Sequence, residues 1–351
     1  KNFWYNKKVL VTGHTGFKGT WLSIWLKMLG AKVYGISLPP VKNRNIFSIV
    51  NLKRKIDRNI YLDINNKKKL QTTVEKLKPQ IIFHLAAQPL VIESFKYPLN
   101  TIQTNILGTA NLLEVSRKIK TLKTIIVITT DKVYANLNKK SFFKENDKLG
   151  GDDIYSFSKV SVEMLVNSYR QLYFKNDKQI FTLRAGNVIG GGDWSENRLI
   201  PDYIKAYEKK KPFLIRNPHH VRPWQHVMEC LYGYILSVEK LYLKKTISLN
   251  AINFGPKSNN LSTVDDVINI ILNKNEKKIK INLNKKKSQF FEKSFLGINS
   301  SLAKKKIGWS PILNLNDSID LTINWYKNFF ERKEMYEFTC QQIRNYITRL
   351  K

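Results

Sequence analysis

Short apolar runs recur along the first half of the chain, each followed by a stretch with helical spacing. Lys8-Val-Leu-Val-Thr12 predicts a buried strand. It leads into Gly13-His-Thr-Gly16-Phe-Lys-Gly19 and then into an amphipathic stretch, Thr20 to Leu29, that predicts a helix. Ala31 to Ile36 predicts a second strand, Ile60-Tyr-Leu-Asp63 a strand end, and Lys67 to Lys78 a helix. Pro79-Gln-Ile-Ile-Phe-His-Leu-Ala86 reads as a buried strand, and Pro98 to Lys120 as one long helix carrying Asn105 and Gly108. Thr124 to Thr129 (strand), Tyr155 to Phe174 (helix) and Ile180 to Arg184 (strand) continue the alternation.

This rhythm predicts an α/β fold: a doubly wound (Rossmann) parallel sheet over residues 1–187. After 187 the pattern turns irregular, beginning with the glycine-rich Val188-Ile-Gly-Gly-Gly-Asp-Trp194. Residues 188–351 are expected to form mainly a smaller C-terminal substrate-binding lobe, with stretches near 222–253 and 300–332 returning to the first domain. The charged tail from Glu331 to Lys351 predicts a helix that caps the core or a neighbouring subunit.

Composition narrows the class. The chain has 351 residues and is 42% hydrophobic, enough to bury a sizeable core. No run of eighteen apolar residues occurs, so no membrane span is expected. The N-terminus runs into a strand without a signal-peptide layout, and Cys230 and Cys340 form no disulfide framework, so the expected compartment is the cytoplasm. The net charge is +33. Its lysines are dispersed in short runs such as Lys67–Lys69, Lys209–Lys211, Lys285–Lys287 and Lys304–Lys306, with no basic tail and no nucleic-acid motif. Solvated lysine faces are therefore the reading, with no nucleic-acid partner, and a positive field steers an anionic substrate.

The candidate chemistry falls at strand ends. Strand, glycine turn, helix, strand is a dinucleotide-binding unit: the glycines let the backbone approach a pyrophosphate seated on the helix N-terminus. Tyr155 and Lys159 lie four residues apart, on one face of a helix. An ammonium beside a phenol favours phenolate and should pull the Tyr155 pKa below its usual ~10. Such a phenolate accepts a hydroxyl proton while a hydride leaves the same carbon. Thr130-Asp131-Lys132 and Gly186-Asn187 follow two further strands. His219, His220 and His226 have no Cys or carboxylate at ligand spacing, so no metal is expected. Where an acidic residue would hold the ribose of NAD stands Ser37-Leu-Pro, with Lys42 and Arg44 downstream, cations that favour NADP.

Gly13-x-x-Gly16-x-x-Gly19, His84-Leu-Ala-Ala87, Asn105-x-x-Gly108-Thr109, Thr130 and Tyr155-x-x-x-Lys159 together resemble the extended short-chain dehydrogenase/reductase family, in its NAD-dependent epimerase/dehydratase part. The resemblance runs through Gly308-Trp-Ser-Pro311. Within the family, Thr130-Asp-Lys132, Arg184-Ala-Gly-Asn-Val-Ile-Gly-Gly-Gly-Asp-Trp194, Arg198-Leu-Ile-Pro-Asp202 and Arg222-Pro-Trp-Gln-His-Val227 resemble the branch that dehydrates CDP-glucose. The resemblance implies a 4,6-dehydratase working through NAD: C4 oxidation, loss of water across C5 and C6, and hydride return to C6.

It also implies roles. Thr130, Asp131, Lys132, Tyr155 and Lys159 would be catalytic, with Asp131 the acid towards the C6 hydroxyl. Gly13, His14, Thr15, Gly16, Phe17, Lys18, Gly19, Asp63, Ile64, Leu85, Ala86, Ala87, Gln88, Asn105 and Thr129 would join Tyr155 and Lys159 around the cofactor; for His14, local packing is the other reading. Gln88, Asp131, Lys132, Asn187, Arg198, Leu199, Ile200, Arg216 and Arg222 would hold the nucleotide sugar. The related dTDP-glucose dehydratases carry Asp-Glu where this chain has Asp131-Lys132, so the C5 base stays open between Lys132 and another group. A homodimer or dimer of dimers is expected, with the helices at 98–120 and 154–175 as an interface. The competing readings are a C4 epimerase or reductase of a nucleotide sugar, and a cofactor-binding regulatory or RNA-binding protein.

Overall fold

Seven parallel strands form where short apolar runs can be covered on both faces: β1 (Lys8–Thr12), β2 (Lys32–Ser37), β3 (Arg58–Tyr61), β4 (Ile81–His84), β5 (Thr124–Ile128), β6 (Gln179–Ala185) and β7 (Ala251–Phe254). The computed structural model describes residues 2–40, 44–137, 140–174, 178–242, 250–257, 261–274, 279–283 and 293–350. Lys42 and the Lys285–Lys287 run lie outside the described residues. Every residue of β4 and β5 is buried, as both-face coverage requires.

The strand order is β7-β6-β5-β4-β1-β2-β3. It reverses between β1 and β4, whose register pairs Thr12 with His84. The crevice at the carboxyl ends of these two strands is where such sheets take ligands. One face is covered by α1 (Phe17–Met28), the opposite face by α2 (Lys67–Leu77), α3 (Gly108–Arg117) and α4 (Ile154–Tyr173). α4 starts on a capped end, Asp153 accepting from the Ser156 N–H.

The later chain is not separate from this sheet. β7 pairs with β6, and the helix α5 (Val227–Leu241) packs on α1. Short two-stranded pieces, Phe213–Ile215 with Ile281–Leu283 and Val221–Arg222 with Ser262–Thr263, frame the far side of the crevice. Both cysteines are free and buried. No helix among the described residues is long and apolar enough to cross a membrane.

Two elements depart most from their predicted extents, and one was not predicted. α1 begins at Phe17, before Thr20, because Gly16 already acts as its N-cap. The long helix expected from Pro98 opens at Gln103–Leu107 into a wider π turn and stops at Arg117; such turns gather at functional positions. A helix at Val91–Lys96 was not predicted, being too short to show a clear period.

Candidate active site

The turn after β1 is built for close approach. Gly13 has φ +76°, and a Cβ there would lie 2.7 Å from the Ala86 nitrogen. A Cβ on Gly19 would lie 2.1 Å from the Gly13 oxygen. The N-terminus of α1 has no side-chain cap and no acidic residue in its first turn, so its N–H groups are open to an anion. Leu85, Ala86 and Ala87 form the partly exposed floor beside it, at the end of β4. Thr15 reaches across to β2, its hydroxyl 2.8 Å from that of Ser37 and donating to the Leu38 carbonyl. This cradle fits the pyrophosphate of a dinucleotide.

Several residues expected at the cofactor are engaged with other parts of the chain. His14 is fully buried, its Nε2 2.7 Å from Asn59 Oδ1 and its ring filling the space over Gly35, contacts that fit the local-packing reading. Asn105 has its amide committed: Oδ1 accepts from the Gln88 N–H at 2.8 Å, and Nδ2 donates to the Gln88 carbonyl and to Ser158 Oγ. The Gln88 side chain is likewise folded back, donating to Thr101 and the Leu90 carbonyl and accepting from the Leu90 N–H. Both shape the loop, and it is Pro89, Leu90, Val91 and Ile92 that face the cleft. Ile64 turns its side chain inward against Gly108, and Asp63 accepts from the Asn65 N–H at the exposed end of β3. Phe17 packs towards Gly190. Arg44, expected to favour a ribose phosphate, pairs with Glu208 and lies over the Trp194 and Phe329 rings.

The chemical end of the cleft sits beneath the ends of β5 and β6. Thr130, Asp131, Tyr155 and Lys159 are all buried there. The Thr130 hydroxyl donates to Asp131 Oδ1 at 3.0 Å and also hydrogen-bonds the Tyr155 phenol. Asp131 Oδ2 is buried without a hydrogen-bond partner. Burial raises the Asp131 pKa, against the pull of Lys132, Thr130, Arg222 and Lys18. Gly186 is what lets the carboxyl lie flat on β6: a Cβ there would come within 2.7 Å of Oδ2.

One expectation reverses. The Tyr155 phenol is not lowered by Lys159 but pushed up to about 12 by burial, with Thr130 and Arg198 working the other way. The Lys159 ammonium instead donates to the Ile128 carbonyl at 3.2 Å. Burial and the neighbouring Lys18 ammonium push its own pKa down to about 8. Two groups four apart share a helix face, but the strand end they face decides which partner each meets.

From this end a cavity of about 330 Å³ runs outward, a volume suited to a small ligand. It brings together Thr129, Thr130, Asp131, Lys132, Tyr155, Asn187, Arg198, Leu199, Ile200, Arg216 and Arg222. Arg198 pairs with Asp193 at 2.8 Å, Arg216 donates to the Asn197 carbonyl, and Arg222 donates to the Val221 carbonyl and lies 3.0 Å from His220 Nδ1. Lys18, read with the cofactor turn, faces this cavity, where burial lowers its pKa. Asp193, Glu196, Asp202 and His220 also line it, though none is expected from the sequence to be a site residue: His220 is weighed there only as a metal ligand, and Asp193 and Asp202 stand only inside longer motifs. Asp193, Glu196 and His220 stand in irregular segments where no period signals which side chains point inward, whereas Asp202 is in the first turn of the helix Leu199–Glu208.

Comparison with known proteins agrees with this geometry. A family model described as GDP-mannose 4,6 dehydratase matches residues 10–322. CDP-glucose 4,6-dehydratase of Salmonella typhimurium is 37% identical over 354 aligned residues, covering 99% of this chain and 98% of that protein. Two solved structures share the fold. UDP-glucose 4-epimerase of Thermotoga maritima with UDP-glucose has TM-score 0.79 at 23% identity, covering 92% of this chain and 99% of that one. UDP-glucuronic acid 4-epimerase of Bacillus cereus, in complex with UDP-glucuronic acid and NAD, has TM-score 0.78 at 24% identity with the same coverage.

Proposed function

The chain belongs to the GDP-mannose 4,6-dehydratase family of extended NAD-dependent epimerases and dehydratases, and from that premise we propose that it converts CDP-glucose to CDP-4-keto-6-deoxyglucose. The observation that carries the dehydratase reading is Asp131: a buried carboxyl, held towards its protonated form, with an unpartnered oxygen in the same cleft as Tyr155. Elimination at C6 needs an acid for the departing hydroxyl, whereas inversion at C4 does not.

Bound NAD+ supplies the acceptor for the C4 hydride and its donor at C6. The chain's own groups move the protons. Tyr155, hydrogen-bonded by the Thr130 hydroxyl, would take the C4 hydroxyl proton as phenolate, a form that Arg198 and the positive charge of a bound nicotinamide favour against the burial that raises its pKa. With C4 a ketone, the C5 proton becomes acidic. Asp131 then gives its proton to the C6 hydroxyl, which leaves as water. Lys132, half-buried on the same turn, lines the cleft and is the candidate to accept the C5 proton or to neutralise the enolate. Lys132→Met separates these from no role: C5 exchange with solvent deuterium that matches wild type removes Lys132 from the step.

The cleft's guanidinium groups, Arg198, Arg216 and Arg222, suit a diphosphate, and Asn187 lines the same cleft. NAD rather than NADP is supported by Arg44, whose charge is committed to Glu208. A homodimer is supported by the exposed apolar residues on and beside α3 and α4: Leu99, Leu107, Met164 and Leu172 are each more than half exposed. The deciding experiment incubates the purified protein with CDP-glucose, dTDP-glucose, GDP-mannose and UDP-sugars and follows loss of water by mass spectrometry. Loss from CDP-glucose first is expected; sugar of unchanged mass from every donor overturns the reading.

A further inference from the structure

Behind the cleft, meeting its wall only at Thr129, lies a saturated polar cluster centred on Glu163. Its carboxylate accepts from Thr129 Oγ1 and, at 2.6 Å, from Thr182 Oγ1. Arg184 closes a two-point fork on it, Nε and Nη2 each at 2.9 Å. The third nitrogen of Arg184 donates to the Tyr134 hydroxyl at 2.8 Å, which donates in turn to Asn253 Oδ1 at 2.7 Å. Glu163, Arg184, Tyr134 and Asn253 are all buried, and none of the four lines the cavity.

The places of these residues in the chain give the cluster its meaning. Glu163 sits on α4, one helical turn beyond Lys159 and two beyond Tyr155. Thr129 immediately precedes Thr130-Asp131-Lys132, and Tyr134 ends the short 3-10 turn that carries Asp131 and Lys132. The cluster therefore grips the reactive turn at both ends and ties it to the reactive helix. Arg184 and Asn253 connect that grip to β6 and β7. A buried ion pair adds little stability over well-packed apolar residues, so its presence here calls for a geometric reason. A fully satisfied network has one arrangement, and removing Glu163 or Arg184 leaves the other's buried charge unpaired.

We propose that Glu163 is a positioning residue: with Arg184 and Tyr134 it holds the Tyr155/Lys159 helix and the Asp131/Lys132 turn in one register, and so sets the rate of the chemical steps without touching substrate. The rate readout rests on the dehydratase reading; the geometric readout does not. Misplacement of reacting groups by about 1 Å costs on the order of 100-fold in rate.

Glu163→Gln keeps the shape and removes the charge, and Tyr134→Phe keeps the ring and removes one link. Both are made in the full chain with NAD bound. We expect Glu163→Gln to lower kcat by about 100-fold and Tyr134→Phe by about 10-fold, with KM unchanged. Against burial and the Lys18 ammonium, which lower the Lys159 pKa, Glu163 favours its charged form. Its loss should move the basic limb of the kcat profile to lower pH, whereas Tyr134→Phe should leave that limb in place. Amide hydrogen exchange over residues 129–134 should accelerate in both variants, while the β1–β4 region stays protected. Folded variants with wild-type kcat and wild-type exchange overturn the proposal. So does a loss of rate that follows only the melting temperature, with no change in the pH profile. Should the wild-type protein turn over no nucleotide sugar, the dehydratase reading fails, and the exchange experiment still decides the proposal.

Discussion

The two ends of the cleft are built differently. At the inner end, Thr130, Asp131, Tyr155 and Lys159 are buried, come from the turn after β5 and from α4, and are fixed by hydrogen bonds. At the outer end, Arg216 is exposed, and its recorded partners are the carbonyl and side chain of Asn197, a residue in the left-handed region at φ 61°. The difference separates chemistry from recognition. Proton transfer demands fixed geometry and altered pKa values, which burial provides; binding an exposed part of a nucleotide does not.

The comparison breaks first at Tyr155. Tyr155→Phe should lower kcat by about 10³-fold or more while released NAD per protein stays at the wild-type ratio. Loss of bound nucleotide together with activity would make Tyr155 a structural residue instead. Asp131→Asn should cost about 100-fold in water release yet leave C4 oxidation intact, seen as a transient rise in reduced-nicotinamide absorbance. Absence of that transient would move Asp131 from the second half of the reaction to the first.

Arg198 lies between the two ends and sharpens the boundary. Its cation favours the Tyr155 phenolate, so Arg198→Met should raise the phenol pKa further. The acidic limb of the kcat profile should then move to higher pH, with about a 10-fold loss of kcat/KM at neutrality from the missing charged contact. An unmoved limb would confine Arg198 to substrate binding. Smallest of all, Arg216→Ala should raise KM by a few fold, worth about 1 kcal/mol, and leave kcat alone. A fall in kcat there would erase the distinction between the ends.

Local pattern was enough for much of the inner end. β1 spans the predicted Lys8–Thr12, and the glycine turn, the Thr130-Asp131-Lys132 turn and the Tyr155/Lys159 helix occupy the expected strand ends. Their signals are short in sequence: an apolar run, a required positive φ at Gly13, a four-residue spacing. The outer end was less legible. Asp193 and Glu196 enter the cleft from segments without periodicity, and Asp202 from the short helix Leu199–Glu208. Arg44 looked like a cofactor contact until its partner Glu208, distant in sequence, was seen beside it.

The amino-acid order by itself determined the parallel sheet, the site of the crevice and the residues able to do proton chemistry, because each depends on a window of a few residues. Only the tertiary structure decided what those residues experience. Burial raised the Tyr155 phenol that a neighbouring lysine was expected to lower, turned the Asn105 and Gln88 amides into loop fasteners, and aimed Lys18 into the cleft. Desolvation and hydrogen-bond competition are set by atoms that many different parts of the chain bring together, and no local spacing encodes them.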